Sequence, residues 1–136
     1  MQITSTQQQG RVPVTVLQLD GKLDASNYTD VIKQAQELYD GDARDLVIDL
    51  GNVPYISSAG LMALHTVCLI FAGQSNKQGE SGRPTFRSLD LKRDQAAREH
   101  TKLLNPQPAV ETVLDTVGLK QFFEIFSDLD SAVKSF

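Results

Sequence analysis

The segment from Asp45 to Leu64, DLVIDLGNVPYISSAGLMAL, constrains the fold more than any other part of the sequence. Its apolar run Leu46–Leu50 predicts a buried central strand. A loop that contains Pro54 then leads directly into an apolar helix, which we predict over about 58–71. A strand that passes through a short loop into a helix is typical of βαβ units, which build sheets with helices packed on them. The segment therefore predicts an α/β fold.

Strand and helix patterns alternate along the rest of the chain. Further strands are predicted at Val12–Leu19, His100–Leu104 and Phe122–Phe126, the last at a sheet edge, with Ile3 marking an antiparallel partner of the first. Further helices are predicted over 28–39 and 110–117 and after Ser127. We expect a mixed, mostly parallel central sheet of about five strands with about four helices, in a single domain over residues 1–136.

Local signals place the ends of these elements and one insertion. Asp24 or Ser26 is predicted to cap the first helix, and Ser127 with Asp130 has the spacing of a capping box for the last. The segment Gln74–Glu99 is first rich in Gly and Ser and then charged, and its part Leu89–Glu99 is predicted as a polar helix. A connection this long predicts a surface insertion at about 74–99.

The composition indicates a cytoplasmic protein. Hydrophobic residues make up 40% and charged residues 22%, which is ordinary for a globular domain. The single cysteine, Cys68, excludes an internal disulfide and is predicted to be a buried thiol. The first ten residues do not resemble a signal peptide, and no apolar run has the length of a membrane span. We therefore expect no membrane insertion.

The charge distribution argues against nucleic acid as a direct partner. The net charge is −4, and residues 77–102 carry seven basic and four acidic residues, a balance of +3. The remaining residues carry six basic and thirteen acidic residues, a balance of −7. Nucleic acid binding needs a basic face, and the body of this protein is acidic.

No catalytic residue, metal site or cofactor is predicted. His65 and Cys68 share a helix face but are too few for a metal site, and the sequence contains neither a Walker nor a dinucleotide-binding glycine motif. A hydrolase elbow would need a glycine where Ile56 stands before Ser58. His65 would lie about 10 Å from Ser58 along the same helix, which is too far for proton transfer.

Ser57 and Ser58 stand where the helix over 58–71 is predicted to begin. The first N–H groups of a helix are unpaired and the helix dipole is positive there, so these serines are either helix caps or acceptors of a phosphate. One serine suffices as a cap. The other would be exposed beside the small residues Ala59 and Gly60, where another protein could approach its hydroxyl.

Three motifs, in order and suitably spaced, resemble the STAS domain of sulfate transporters and anti-sigma factor antagonists. They are Val47–Leu50 with Tyr55–Leu61 (YISSAGL), Asn105–Val110 (NPQPAV), and Val113–Leu119 with Phe122–Phe126. On this resemblance the phosphoacceptor position falls on Ser58, with Ala59 and Gly60 in the small-residue and glycine positions. Ser57 stands where the family has Asp, which leaves Ser57 as the second choice of acceptor and the better candidate for the cap.

The resemblance implies partner switching by an anti-sigma factor antagonist, a protein that is not an enzyme. The unphosphorylated form would bind an anti-sigma factor that is also a serine kinase, phosphorylation of Ser58 would release it, and a PP2C-type phosphatase would restore binding. The implied partner-binding residues are Asp24, Ser57, Ser58, Ala59, Gly60 and Leu61. Gly60 would allow close approach of the partner.

Two other functions stay open at this point. The first is a STAS interaction module that does not depend on phosphorylation, such as a transport-complex subunit or a scaffold, in which Ser58 would serve only as a cap and interface residue. The second is a STAS domain that binds a small ligand or a nucleotide.

Overall fold

The computed structural model describes residues 2–72, 100–118 and 123–136. The predicted insertion at about 74–99 and its polar helix lie outside the described residues.

A five-stranded sheet forms the centre of the protein, with the strands side by side in chain order. The strands are β1 (Gln2–Gln9), β2 (Pro13–Asp20), β3 (Leu46–Asn52), β4 (Thr101–Leu104) and β5 (Glu124–Phe126). β1 and β2 are antiparallel, whereas β2, β3, β4 and β5 run parallel to their neighbours. The predicted mixed, mostly parallel sheet is confirmed, with β3 at its centre and β5 at an edge.

Four helices occur in the described parts of the chain, as predicted. They are α1 (Tyr28–Asp40), α2 (Ser58–Phe71), α3 (Pro108–Thr116) and α4 (Leu129–Lys134). α2 occupies the range that the sequence predicts. Gly118, with a φ of 80°, follows α3 in a conformation that commonly ends a helix.

Both faces of the sheet are buried, which explains the apolar run of β3. Successive side chains of a strand point to opposite faces. Ile48 belongs to the larger core, which α1, α2 and α3 cover. Val47 belongs to a smaller core with Val14 and Val16, which Ala132 and Val133 of α4 cover. A strand with two buried faces has no polar side to alternate with.

Both predicted N-caps are wrong. α1 begins after Asn27, because the Asp24 carboxylate accepts hydrogen bonds from Ser26 and so forms a turn before the helix. α4 begins after Asp128 rather than Ser127, because the Asp128 carboxylate accepts from the amide of Ser131 at 3.1 Å.

Candidate functional site

Ser57 is the N-cap of α2. Its backbone is extended (φ −91°, ψ 176°), and its hydroxyl oxygen accepts a hydrogen bond from the amide of Gly60 at 3.2 Å. This bond satisfies one of the N–H groups that a helix start leaves unpaired. The expectation that Ser57 caps the helix is confirmed.

Ser58 is the first residue of α2, and it is exposed. Within the part of the chain that the structure describes, its hydroxyl makes no hydrogen bond. The first turn of α2 carries no acidic residue. Because the dipole is positive at this end of a helix, added negative charge on Ser58 would be tolerated without unfolding the helix.

A backbone bridge joins the loop before α1 to the loop before α2. Leu23 pairs with Ile56 in parallel orientation, through hydrogen bonds from Leu23 N to the carbonyl oxygen of Tyr55 (3.0 Å) and from Ser57 N to that of Leu23 (2.9 Å). The bridge lies beyond the last pair of β2 and β3, at the carboxyl ends of both strands. Asp24 and Ser57 directly follow the bridged residues, so the bridge brings their two loops together.

Asp24 adds a negative charge to this edge of the sheet. Its carboxylate accepts hydrogen bonds from the hydroxyl of Ser26 at 2.6 Å and from the amide of Ser26 at 2.9 Å. These bonds, with the nearby charge of Lys22, hold the pKa of Asp24 below its ordinary value. The loop is fixed further by Asn27, whose Oδ1 accepts from the amide of Asp24 at 3.0 Å.

Gly60 and Leu61 are buried, contrary to the expectation of a small-residue patch open to a partner. A Cβ on Gly60 would lie 2.7 Å from the carbonyl oxygen of Leu23 and 2.8 Å from Cγ1 of Ile56. Gly60 therefore allows close approach of the Leu23–Ile56 bridge of the same chain, rather than of a partner. Leu61 is only 3% exposed. Ala59 keeps partial exposure, so the surface consists of Ser58 and parts of Ala59 and Ser57.

Tyr55 is the main surface residue that the sequence does not single out. Its side chain is 52% exposed, although its carbonyl oxygen takes part in the bridge. It stands between the exposed Pro54 and the buried Ile56. The apolar Ile56 beside it was a readable signal, because successive side chains of an extended segment point to opposite sides.

A third loop closes the same edge of the sheet. Nε2 of Gln107, at the start of α3, donates to the carbonyl oxygen of Gly51 at 2.9 Å. Asn105, which follows β4, has a φ of 58°, a conformation that Asn tolerates better than most residues. The loops before α1, α2 and α3 thus meet at the carboxyl ends of β2, β3 and β4.

Within residues 2–72, 100–118 and 123–136, no three metal-ligating side chains come together. None of the helices in these ranges combines the length and the hydrophobicity needed to cross a bilayer.

Three solved structures resemble the protein across most of its length. An anti-sigma factor antagonist from Mycobacterium paratuberculosis matches with a TM-score of 0.66 at 19% identity, over 98% of this chain and 93% of the other. A candidate anti-sigma factor antagonist from Thermotoga maritima matches with a TM-score of 0.62 at 20% identity, over 88% and 83%. The phosphorylated form of the Bacillus cell fate determinant SpoIIAA matches with a TM-score of 0.56 at 14% identity, over 96% of both chains.

These likenesses establish a shared fold with anti-sigma factor antagonists. A search of curated protein sequences found no match. The sequence profile of the STAS domain matches residues 4–72, which form half of the chain and include most of β1 and all of β2, β3, α1 and α2. The chain therefore belongs to the STAS domain family.

Proposed function

We propose that this protein is an anti-sigma factor antagonist that works by partner switching, with Ser58 as its phosphoacceptor. One observation carries the proposal. Ser57 uses its hydroxyl to cap α2, whereas Ser58 is exposed with its hydroxyl unbonded within the described residues. Phosphorylation of Ser58 would therefore leave the cap intact.

The proposed switch acts on the docking surface. A phosphate adds a charge of about −1.5 to −2 at neutral pH. The adjacent loop already carries the Asp24 carboxylate, which is ionised at neutral pH. Phosphorylated Ser58 would enlarge this negative region and fill the space above Ala59. A partner surface that fits the unmodified site would then meet both a steric obstacle and a changed charge.

The proposed partners follow from this cycle. In the unphosphorylated state Asp24, Ser57, Ser58 and Ala59 would contact an anti-sigma factor that is also a serine kinase, with Gly60 and Leu61 supporting them from below. The kinase would supply ATP and Mg²⁺, and a PP2C-type phosphatase would remove the phosphate. The protein itself would have no catalytic residue, would act in the cytoplasm and would bind no nucleic acid directly.

Phosphorylation by purified anti-sigma factor kinases from the same genome tests the acceptor. We expect mass spectrometry to find phosphate on Ser58 in the wild type and in Ser57→Ala, and no phosphate in Ser58→Ala. Incorporation into Ser58→Ala at the wild-type level would place the acceptor elsewhere, with Ser57 as the next candidate.

Binding of the same kinases tests the switch. We expect Ser58→Ala to bind as the wild type does and Ser58→Asp to lose binding. The control Thr116→Asp, which places the same charge at an exposed position of α3, should retain binding. Equal binding of Ser58→Ala and Ser58→Asp would contradict the switch and favour an interaction module that does not depend on phosphorylation.

A further inference from the structure

The two edges of the sheet differ in length and in charge. β5 forms one edge and has only three residues, one of which is the charged Glu124. β1 forms the other edge and has eight residues, QITSTQQQ, none of which is charged or a proline. Natural proteins protect exposed edges with short strands, charges, prolines or bulges. β5 has two of these protections, and β1 has none of them.

β1 is also regular along its whole length. It pairs with β2 through eight consecutive residues, from Gln2 opposite Asp20 to Gln9 opposite Pro13, with no shift in register. In an antiparallel strand the N–H and C=O groups of alternate residues point to the outer side. Among the described residues no strand pairs with that side. β1 therefore presents a straight row of backbone donors and acceptors.

We propose that β1 pairs in antiparallel orientation with β1 of a second copy of this chain, which joins the two sheets into one. The two strands are related by a twofold axis normal to the sheet, and directly opposed side chains lie on the same face. The axis must therefore pass midway between the two copies of one residue, which then faces itself. With the axis at Thr6, the opposed pairs are Thr6 with Thr6, Ser5 with Gln7, and Thr4 with Gln8.

Charge favours a second copy as the occupant. Each chain has a net charge of −4, yet no charged residue of β1 faces another in this pairing. Thr, Ser and Gln side chains can hydrogen-bond across the pair in either copy. Within the strand pair itself, two acidic molecules therefore meet without opposing like charges.

A hollow beside β1 predicts how charge and salt affect the proposed association. Ser5, Gln7, Glu37 and Leu38 line this hollow of about 230 Å³ between β1 and the end of α1. The twofold axis places the hollows of the two copies on the same face of the joined sheet, so each copy adds one exposed Glu37 carboxylate to that face, outside the strand pair. We therefore expect Glu37→Gln and added salt each to raise the association constant several-fold.

Sedimentation equilibrium of the full chain over a wide range of concentration tests the proposal. We expect the mass to rise with concentration from 15.0 kDa toward twice that value. Thr4→Lys with Thr6→Lys should abolish the rise, because it opposes lysines whether the axis lies between the two copies of Thr6 or between the two copies of Ser5. Thr112→Lys with Thr116→Lys makes the same charge change at two exposed positions of α3 and should associate as the wild type does.

Mixing two variants of opposite charge should restore association if β1 is the interface. Thr4→Glu with Thr6→Glu should be monomeric alone and should pair with the double lysine variant. In the wild type, amides of β1 should gain hydrogen-exchange protection as concentration rises, which requires no variant. A wild type that stays at 15.0 kDa throughout, or a double lysine variant that associates as strongly as the wild type, would overturn the proposal.

Discussion

Leu23 and Ile56 are joined by a parallel backbone bridge that stands apart from the named strands. The bridge fixes the loop that carries Asp24 against the loop that leads to Ser58. It also brings the carbonyl oxygen of Leu23 close to Gly60, in the first turn of α2. The site is therefore held by contacts between residues far apart in sequence. Its packing depends on the absence of a side chain at Gly60.

Gly60→Ala should destabilise the protein. In an open helix this change stabilises by about 1 kcal/mol, because alanine has the higher helix propensity. Here the new Cβ would lie 2.7 Å from the carbonyl oxygen of Leu23 and 2.8 Å from Ile56 Cγ1. We expect the free energy of unfolding in urea to fall by about 1–3 kcal/mol, the usual effect of overpacking.

Gly41→Ala is the matched control for Gly60→Ala. Its Cβ would lie 3.4 Å from the carbonyl oxygen of Glu37, an ordinary contact, and its φ is −88°. We expect a change within about 0.5 kcal/mol. A Gly60→Ala protein as stable as the wild type would mean that the loop before α1 does not press on α2 as described.

The two adjacent serines should differ in their contribution to stability. Ser57→Ala removes the acceptor of the Gly60 amide and should lower the free energy of unfolding by about 1 kcal/mol. Ser58→Ala removes an exposed hydroxyl that makes no hydrogen bond within the described residues. It should change the free energy of unfolding by less than about 0.5 kcal/mol. Chemical denaturation measures both, and equal losses would contradict the separate roles of cap and free hydroxyl.

The sequence was sufficient to predict the alternation of strands and helices, because each element carries its own periodicity. It was also sufficient for a serine cap at the start of α2, and the resemblance to the STAS motif, in which Ser57 takes the position of Asp, favoured Ser57 over Ser58. α1 and α4 show the limit of this reasoning. Asp24, Ser26, Asn27, Ser127 and Asp128 all suit a cap, and only the backbone conformation decides among them.

Contacts between distant segments could not be predicted from local patterns. Nothing in the residues around Leu23 indicates that it pairs with Ile56, so the burial of Gly60 was missed. Lys102 is a similar case, because a lysine in a short strand is expected to be solvated, yet it is only 3% exposed. Its surroundings come from β5 and α4, which follow it by more than twenty residues.

Lys102 should tolerate replacement better than its partner Glu124. Its ammonium nitrogen lies 3.2 Å from Oε1 of Glu124 and 3.2 Å from the carbonyl oxygen of Ser135, and 4.6 Å from the ring centre of Phe136. Glu124→Ala leaves the buried cation without its counterion and should cost about 1–3 kcal/mol. Lys102→Met removes the charge and keeps the packing, and it should cost less than about 1 kcal/mol.

Thermal and urea unfolding of the two variants would give this order directly. Lys134→Met, at an exposed position of α4, controls for loss of one positive charge. A Lys102→Met protein less stable than Glu124→Ala would show that the ion pair itself, rather than the burial of an uncompensated cation, governs this part of the smaller core.

The pKa of Asp24 should rise toward its ordinary value in Ser26→Ala. In the wild type, hydrogen bonds from the hydroxyl and amide of Ser26 lower this pKa, the hydroxyl being the larger cause. A carboxylate whose pKa is lower in the folded state stabilises the fold at pH values above its unfolded pKa, and loses this effect as pH falls through the folded pKa. The variant should therefore be less stable at neutral pH, and this difference should shrink in acid.

Carbon-detected NMR titration of the carboxyl groups measures this change, with Asp128 as an internal reference. The pKa of Asp128 is lowered in the same way, by hydrogen bonds from Ser131, and should be unaltered in Ser26→Ala. If the Asp24 pKa stays at its wild-type value in the variant, the Ser26 hydroxyl does not hold the carboxylate. The lowered pKa of Asp24 would then be due to the backbone amide of Ser26 and the charge of Lys22 instead.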